Sequence, residues 1–146
     1  PYEVLAPIWV ALYNANAEKS ELCEGVRETM EKVRELGVEQ SVLSACEIGM
    51  LKRYLKKLGV DIYISEVMGL DNIHARSKLA LAHDWIEKNP DARVLMIGDT
   101  THDFETAEAL GADCLLYSGG HQSREKLERC GCPIVDSIKE IIDYLK

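Results

Sequence analysis

Apolar and polar positions along this chain follow two rhythms, one of period near 3.6 and one of short unbroken runs. The clearest run is Val94-Leu95-Met96-Ile97, four apolar residues with no charge among them. It predicts a short strand over 94–98, buried on both faces as strands of parallel sheets are. Further strands are expected over 40–44, 61–64 and 113–117, with a short one over 133–135. Helical spacing appears first over 3–19, where Val4, Leu5, Ile8, Trp9, Leu12 and Tyr13 share a face and Pro7 marks a kink or the start. It returns over 24–36, with Val26, Met30, Val33 and Leu36 on one side and Gly37 as a stop. Helices are also predicted over 47–58, 75–88, 104–110 and 122–129, and a last one, capped by Asp136, runs to residue 145. Residues 65–74 read as a long connection. From residue 24 onward strands and helices alternate, which predicts an α/β fold with a doubly wound parallel sheet.

Composition narrows the class of protein. The chain of 146 residues is 47% apolar and 29% charged, values of a globular domain with a real core. Its net charge of -8 argues against a nucleic-acid or anionic-membrane surface. No apolar run approaches the ~20 residues that span a bilayer, and Pro1-Tyr2-Glu3 has no basic leader character. Five scattered cysteines do not suggest a disulfide framework, so a reducing cytoplasm is the expected location. Cys130-Gly131-Cys132 is at most half of a zinc site.

The chemistry concentrates after the 94–98 strand, in Gly98-Asp99-Thr100-Thr101-His102-Asp103. Ligands of parallel sheets bind beyond the carboxyl ends of the strands. Two carboxylates on one short loop there, with hydroxyls between, suit an octahedral cation such as Mg²⁺. The plainer reading makes Asp103 a helix cap and Asp99 a solvated loop residue. Three more features fall at the same end of the sheet. Ser44 closes its strand, so its hydroxyl and the Ala45 N–H are candidates for holding an anion, or Ser44 is simply a turn residue. Lys78 sits in the first turn of a helix, an unfavourable place for a cation unless an anion lies nearby; Arg76 competes for that role. Gly119-Gly120-His121 either frames the rim or merely turns the chain.

This order of features resembles the haloacid dehalogenase-like superfamily of phosphohydrolases. The matching residues are Val42-Leu43-Ser44, Lys78 and the loop from Gly98 to Asp103. The run from Asp103 to Ala112 is similar to phosphoglycolate-phosphatase-like members. Glu24-Gly25-Val26-Arg27-Glu28 looks like that group's entry from cap to core, with Glu24 in place of a proline. Leu79 follows Lys78 where the family has a proline. The resemblance covers residues 23 to about 120 and implies a Rossmann-like core over 23–146, with 1–22 as the last helix of a cap.

For function, the resemblance implies a Mg²⁺-dependent phosphatase working through an aspartyl-phosphate on a small phosphorylated metabolite. Asp99 would hold the metal directly and Asp103 through water. Ser44 and Ala45 would bind a phosphoryl oxygen, and Lys78 would screen the anions. The superfamily's first motif, an apolar strand ending in Asp-x-Asp that carries the nucleophile, has no counterpart before Ser44, and no aspartate precedes Asp61. That strand would lie between those ending at Ser44 and Gly98. Losing its four or five buried side chains would cost ~1.5–3 kcal/mol each, comparable to a whole domain's stability. The expectation is therefore a C-terminal part of a longer protein, completed by an N-terminal fragment of the same protein. A catalytically inactive remnant serving as a binding or scaffold domain is the alternative. A receiver-like or nucleotide-binding module is a weaker one, since no Gly-x-Gly-x-x-Gly or Walker pattern is present.

Overall fold

The structure is a computed structural model that describes residues 19–71 and 77–145. The helix expected over 3–19 and the competing Arg76 lie outside the described residues, as does nearly all of the proposed cap segment 1–22. Helix α1 (Val26–Glu35) follows Gly25, whose φ of 82° is open to glycine at little cost. It buries Thr29 and Val33. Strand β1 (Ser41–Glu47) leads into α2 (Ile48–Leu58). Glu47 caps α2, its two carboxylate oxygens each accepting a 2.8 Å bond from the N–H groups of Gly49 and Met50. At the other end of α2, the Arg27 guanidinium donates 2.7 Å bonds to the carbonyls of Leu58 and Gly59.

The expected strand over 61–64 is instead a single 3-10 turn, Asp61–Tyr63, and the strand β2 follows at Glu66–Leu70 within the predicted connection. Alternation misleads here because Ile62 is 66% exposed. Gly69 hides the true strand from a propensity reading. It is required because a Cβ there would lie 2.9 Å from the Cys46 carbonyl oxygen and the Ile48 Cα. Helix α3 (Lys78–Lys88), strand β3 (Leu95–Gly98), helix α4 (Thr101–Leu110), strand β4 (Asp113–Tyr117), helix α5 (Arg124–Glu128) and strand β5 (Ile134–Val135) complete the alternation. The final segment, Ile138–Tyr144, is 3-10, and its cap is Ser137 rather than Asp136. Asp136 is engaged elsewhere, by Ser118 and Arg124.

The strands pair in parallel throughout but form two sheets, β1-β2 and β3-β4-β5. Among the described residues β1 and β3 do not pair, in agreement with the gap expected between them. Between the sheets lies a cleft of about 970 Å³, lined by Val42 and Leu43 of β1 and by Met96 and Ile97 of β3. The core sits to one side, around Leu115, Leu116, Val135 and Ile141. Strand β3 departs from its expected burial on both faces: none of its residues is fully buried, and Ile97 is 44% exposed. An unpaired edge facing an open cleft explains this, since the pattern calls for a neighbour on that side.

Candidate active site

Strand β3 ends at Gly98, and α4 begins three residues later at Thr101. The turn between them is held by reciprocal capping: the Thr100 hydroxyl accepts from the Asp103 N–H at 3.2 Å, and the Asp103 side chain bonds back to the Thr100 N–H. Thr100, not Asp103, is therefore the cap residue. Asp103 itself is only 10% exposed at its side chain. Its Oδ2 accepts from the Asp99 N–H at 3.1 Å, the Thr100 N–H at 3.1 Å and the Thr100 hydroxyl at 2.8 Å. Its Oδ1 takes the Lys78 ammonium as an ion pair. Burial pushes the Asp103 carboxyl upward, but Lys78, Thr100 and the Asp99 N–H outweigh it, and the net shift is downward. Asp103 is an ionised, fully engaged carboxylate.

Asp99 is held differently. Its Oδ2 accepts one 2.8 Å bond from the His121 N–H, and among the described residues its Oδ1 has no hydrogen-bond partner. The loop after β4 closes over it: the Gln122 N–H reaches the Asp99 carbonyl at 3.4 Å, and the Gln122 Oε1 accepts from the Thr101 N–H at 2.9 Å. Two glycines make the packing feasible. A Cβ at position 98 would overlap the Asp103 side chain, and one at 120 would overlap that of Asp99. Neither has a positive φ, so close approach rather than turn geometry demands glycine.

Lys78 is the first residue of α3, behind the cap Ser77. Its ammonium binds Asp103 rather than Asp99. That ion pair offsets the cost of a cation at a helix N-terminus. Ser44 does not end β1 but opens a register irregularity between Leu43 and Glu47, where its hydroxyl accepts from the Cys46 N–H at 3.1 Å. Ala45 is exposed in the same bulge. The structure thus joins Lys78, Asp99 and Asp103 through Asp103, with Ser44 and Ala45 toward the carboxyl end of the neighbouring sheet. Gln122 belongs to the site and was not anticipated, whereas Gly98 of the acidic loop and Gly120 of the expected rim pack against Asp103 and Asp99. The one available signal was a glycine pair after β4, on the strand next to β3.

Residues 3–117 match the family described as Haloacid dehalogenase-like hydrolase. The chain belongs to this family. It is 22% identical over 139 residues to phosphoglycolate phosphatase from Pseudomonas savastanoi pv. phaseolicola, which covers 92% of this chain and 51% of that protein. It is 25% identical over 117 residues, 78% of this chain and 40% of the relative, to tyrosine-protein kinase PtkA of Mycobacterium tuberculosis. The chain thus spans about half the length, or less, of these curated relatives. Among solved structures, a haloacid dehalogenase-like family hydrolase from Streptococcus pneumoniae superposes with a TM-score of 0.86 at 17% identity, over 97% of this chain and 68% of that one.

In this haloacid dehalogenase-like chain the donor set suits a cation on one side only. Among the described residues Asp99 offers an oxygen without a hydrogen bond, whereas both oxygens of Asp103 are in use. No group of three or more His, Cys, Asp or Glu side chains among the described residues could hold a metal by itself. A Mg²⁺ bound mostly through its own waters needs no such group, and Asp99 would hold it. Among the described residues, no helix is long and apolar enough to cross a membrane.

Proposed function

We propose that this chain forms part of a Mg²⁺-dependent phosphatase that hydrolyses a small phosphomonoester through an aspartyl-phosphate intermediate. The observation that carries this is the division of labour between the two aspartates. Asp103 is saturated by Lys78, Thr100 and the Asp99 N–H, while among the described residues nothing bonds the Oδ1 of Asp99 beyond the end of β3. When bound at Asp99, Mg²⁺ would supply the charge that draws together an anionic nucleophile and an anionic phosphoryl group. Lys78, fixed in place by Asp103, adds positive potential from the α3 side. The Ser44 hydroxyl and Ala45 N–H are the donors for a phosphoryl oxygen.

The nucleophilic carboxylate comes from a strand seated between β1 and β3, supplied by an N-terminal segment of the same protein. That strand would pair with both open edges, cover Ile97 and Met96, and end beside Asp99. Its aspartate attacks phosphorus and expels the alcohol, and water then cleaves the acyl phosphate. The phosphoglycolate phosphatase relatives support the reaction class. The apolar lining of the cleft supports the strand.

Phosphate release from p-nitrophenyl phosphate by the full-length protein, with Mg²⁺ and with EDTA, tests this reading. Release that depends on Mg²⁺ and falls by about 100-fold or more in Asp99→Asn is expected. Full-length protein that folds but releases no phosphate from any of a panel of monoesters would favour the second reading, a binding domain without the chemistry.

A further inference from the structure

We propose that Cys114 and Cys132 are a thiol–disulfide exchange site, forming a reversible cross-link between β4 and the segment entering β5. The argument starts from strand register and does not depend on the phosphatase reading. Leu116 pairs with Ile134 and Tyr117 with Val135. The same offset, carried two residues toward the N-terminus, sets Cys132 opposite Cys114. The chains remain adjacent there, because the Leu116 N–H donates to the Pro133 carbonyl at 3.0 Å. Cys114 lies two residues before Leu116 on β4 and so shares its face, and Cys132 lies two residues before Ile134, where β5 begins. Neighbouring strands run about 4.7–4.9 Å apart, inside the ~4.4–6.8 Å between Cα atoms that a disulfide spans.

The side chains are neighbours, Cys132 being among the groups that bear on the Cys114 thiol. Both residues line the cleft between the sheets, which in the chain by itself gives a small oxidant a route to them. Cys130 is also near, but Gly131, with a φ of 74°, turns the chain between it and Cys132. Burial, followed by the neighbouring Cys132, Asp103 and Cys130, pushes the Cys114 thiol up to about 12. Cys114 therefore stays protonated, and the attacking sulfur is that of Cys132.

With glutathione disulfide as oxidant, the Cys132 thiolate attacks one of its sulfurs. The glutathione S–S bond breaks, a mixed disulfide forms and one glutathione thiolate leaves. Cys114 then gives up its proton, its sulfur attacks Cys132, and the second glutathione departs. Two protein thiols lose two electrons, and one glutathione disulfide becomes two glutathione thiols.

The test is to equilibrate the chain in reduced and oxidised glutathione, trap free thiols with N-ethylmaleimide, and map tryptic peptides by mass. The expected product is peptide 94–124 linked to peptide 130–139, two hydrogens lighter than the two reduced peptides together and carrying one added N-ethylmaleimide on Cys130. Cys130→Ser should keep the link, and Cys114→Ser and Cys132→Ser should abolish it. Since a serine variant could misfold, the unsubstituted chain is also oxidised in concentrated urea, where the link should form at least about tenfold more slowly. A Cys130–Cys132 disulfide, glutathione adducts alone, or equal rates with and without urea would each overturn the proposal.

Discussion

Lys78 and Asp103, 25 positions apart in the chain, meet in an ion pair that fastens the start of α3 to the first turn of α4. Both side chains are mostly buried, at 16% and 10% exposure. The pair fixes the orientation of the aspartate on which the β3 turn is built. Removing the lysine strands a carboxylate that is otherwise satisfied on only one oxygen. Lys78→Met should therefore destabilise the fold by about 2–4 kcal/mol. Urea titration checks it, as a lower midpoint with an unchanged slope. Adding Asp103→Asn should recover part of the loss, because no unpaired charge then stays buried.

The same carboxylate sets a pH dependence. Its pKa in the fold lies below the ordinary 3.8, so the unfolded chain binds its proton first as pH falls. The stabilisation is fully present above about pH 4 and is lost as pH drops through the folded value. Glu28, Glu31, Glu47 and Asp136 are lowered as well and add their own acid sensitivity. The informative quantity is thus the difference between the parent chain and Asp103→Asn. That difference should shrink between pH 5 and pH 2.5; a constant difference would mean that Asp103 acts by packing rather than by charge.

The acidic loop was legible because a charge-free apolar run, a glycine and two carboxylates can be recognised without coordinates. The alternation of elements was legible for the same kind of reason. What each aspartate does was not, because helical spacing cannot say which of two carboxylates a lysine meets. The strand at Glu66–Leu70 was obscured by Gly69, whose reason for being there is a backbone, Cys46 to Ile48, that is far from obvious in the sequence. Asp61-Ile62-Tyr63-Ile64 alternates like a strand, yet Tyr63 packs under the Arg34 guanidinium at 5.0 Å in a single turn. Gln122 reaches the site only because β4 lies beside β3, a consequence of topology.

Around the two aspartates glycine is demanded at two positions for different ends. Gly98→Ala pushes a methyl group into the buried Asp103 side chain and should destabilise by about 1–3 kcal/mol. Gly120→Ala meets Asp99 from an exposed loop that can shift. Its effect on the urea midpoint should be the smaller of the two, while any Mg²⁺ affinity drops. If both substitutions leave the midpoint unchanged, the close packing around the aspartates does not hold in solution.

Open edges predict uneven hydrogen exchange. Strand β4 is paired on both sides, with β3 and β5, whereas among the described residues β1 and β3 each have one unpaired edge. Leu115 and Leu116 are fully buried and should be the slowest amides in the sheets. Alternate amides of β3 that face the cleft should exchange orders of magnitude faster. In the full-length protein a strand seated in the cleft should slow them. If they exchange as slowly as Leu115 in the chain by itself, the cleft is already filled and the proposed strand has no place.

The division between the aspartates gives the sharpest prediction. Two carboxylates on one short loop repel each other, and Lys78 answers for only one of them. The structure assigns that one to Asp103. Among the described residues Asp99 has one backbone donor, from His121, and an oxygen without a partner. A cation recruited there should thus depend on Asp99 far more than on Asp103. Calorimetric titration with Mg²⁺ should give weak, saturable binding to the parent chain, because one carboxylate and retained water are the whole site. Asp99→Asn should abolish it. Asp103→Asn should weaken it by no more than about tenfold, 1.4 kcal/mol, while lowering stability as argued above. Equal losses from the two substitutions would mean that Asp103 gives up Lys78 to bind the metal. Identical titrations of the parent and Asp99→Asn would remove the metal site and return Asp99 to holding the loop after β4.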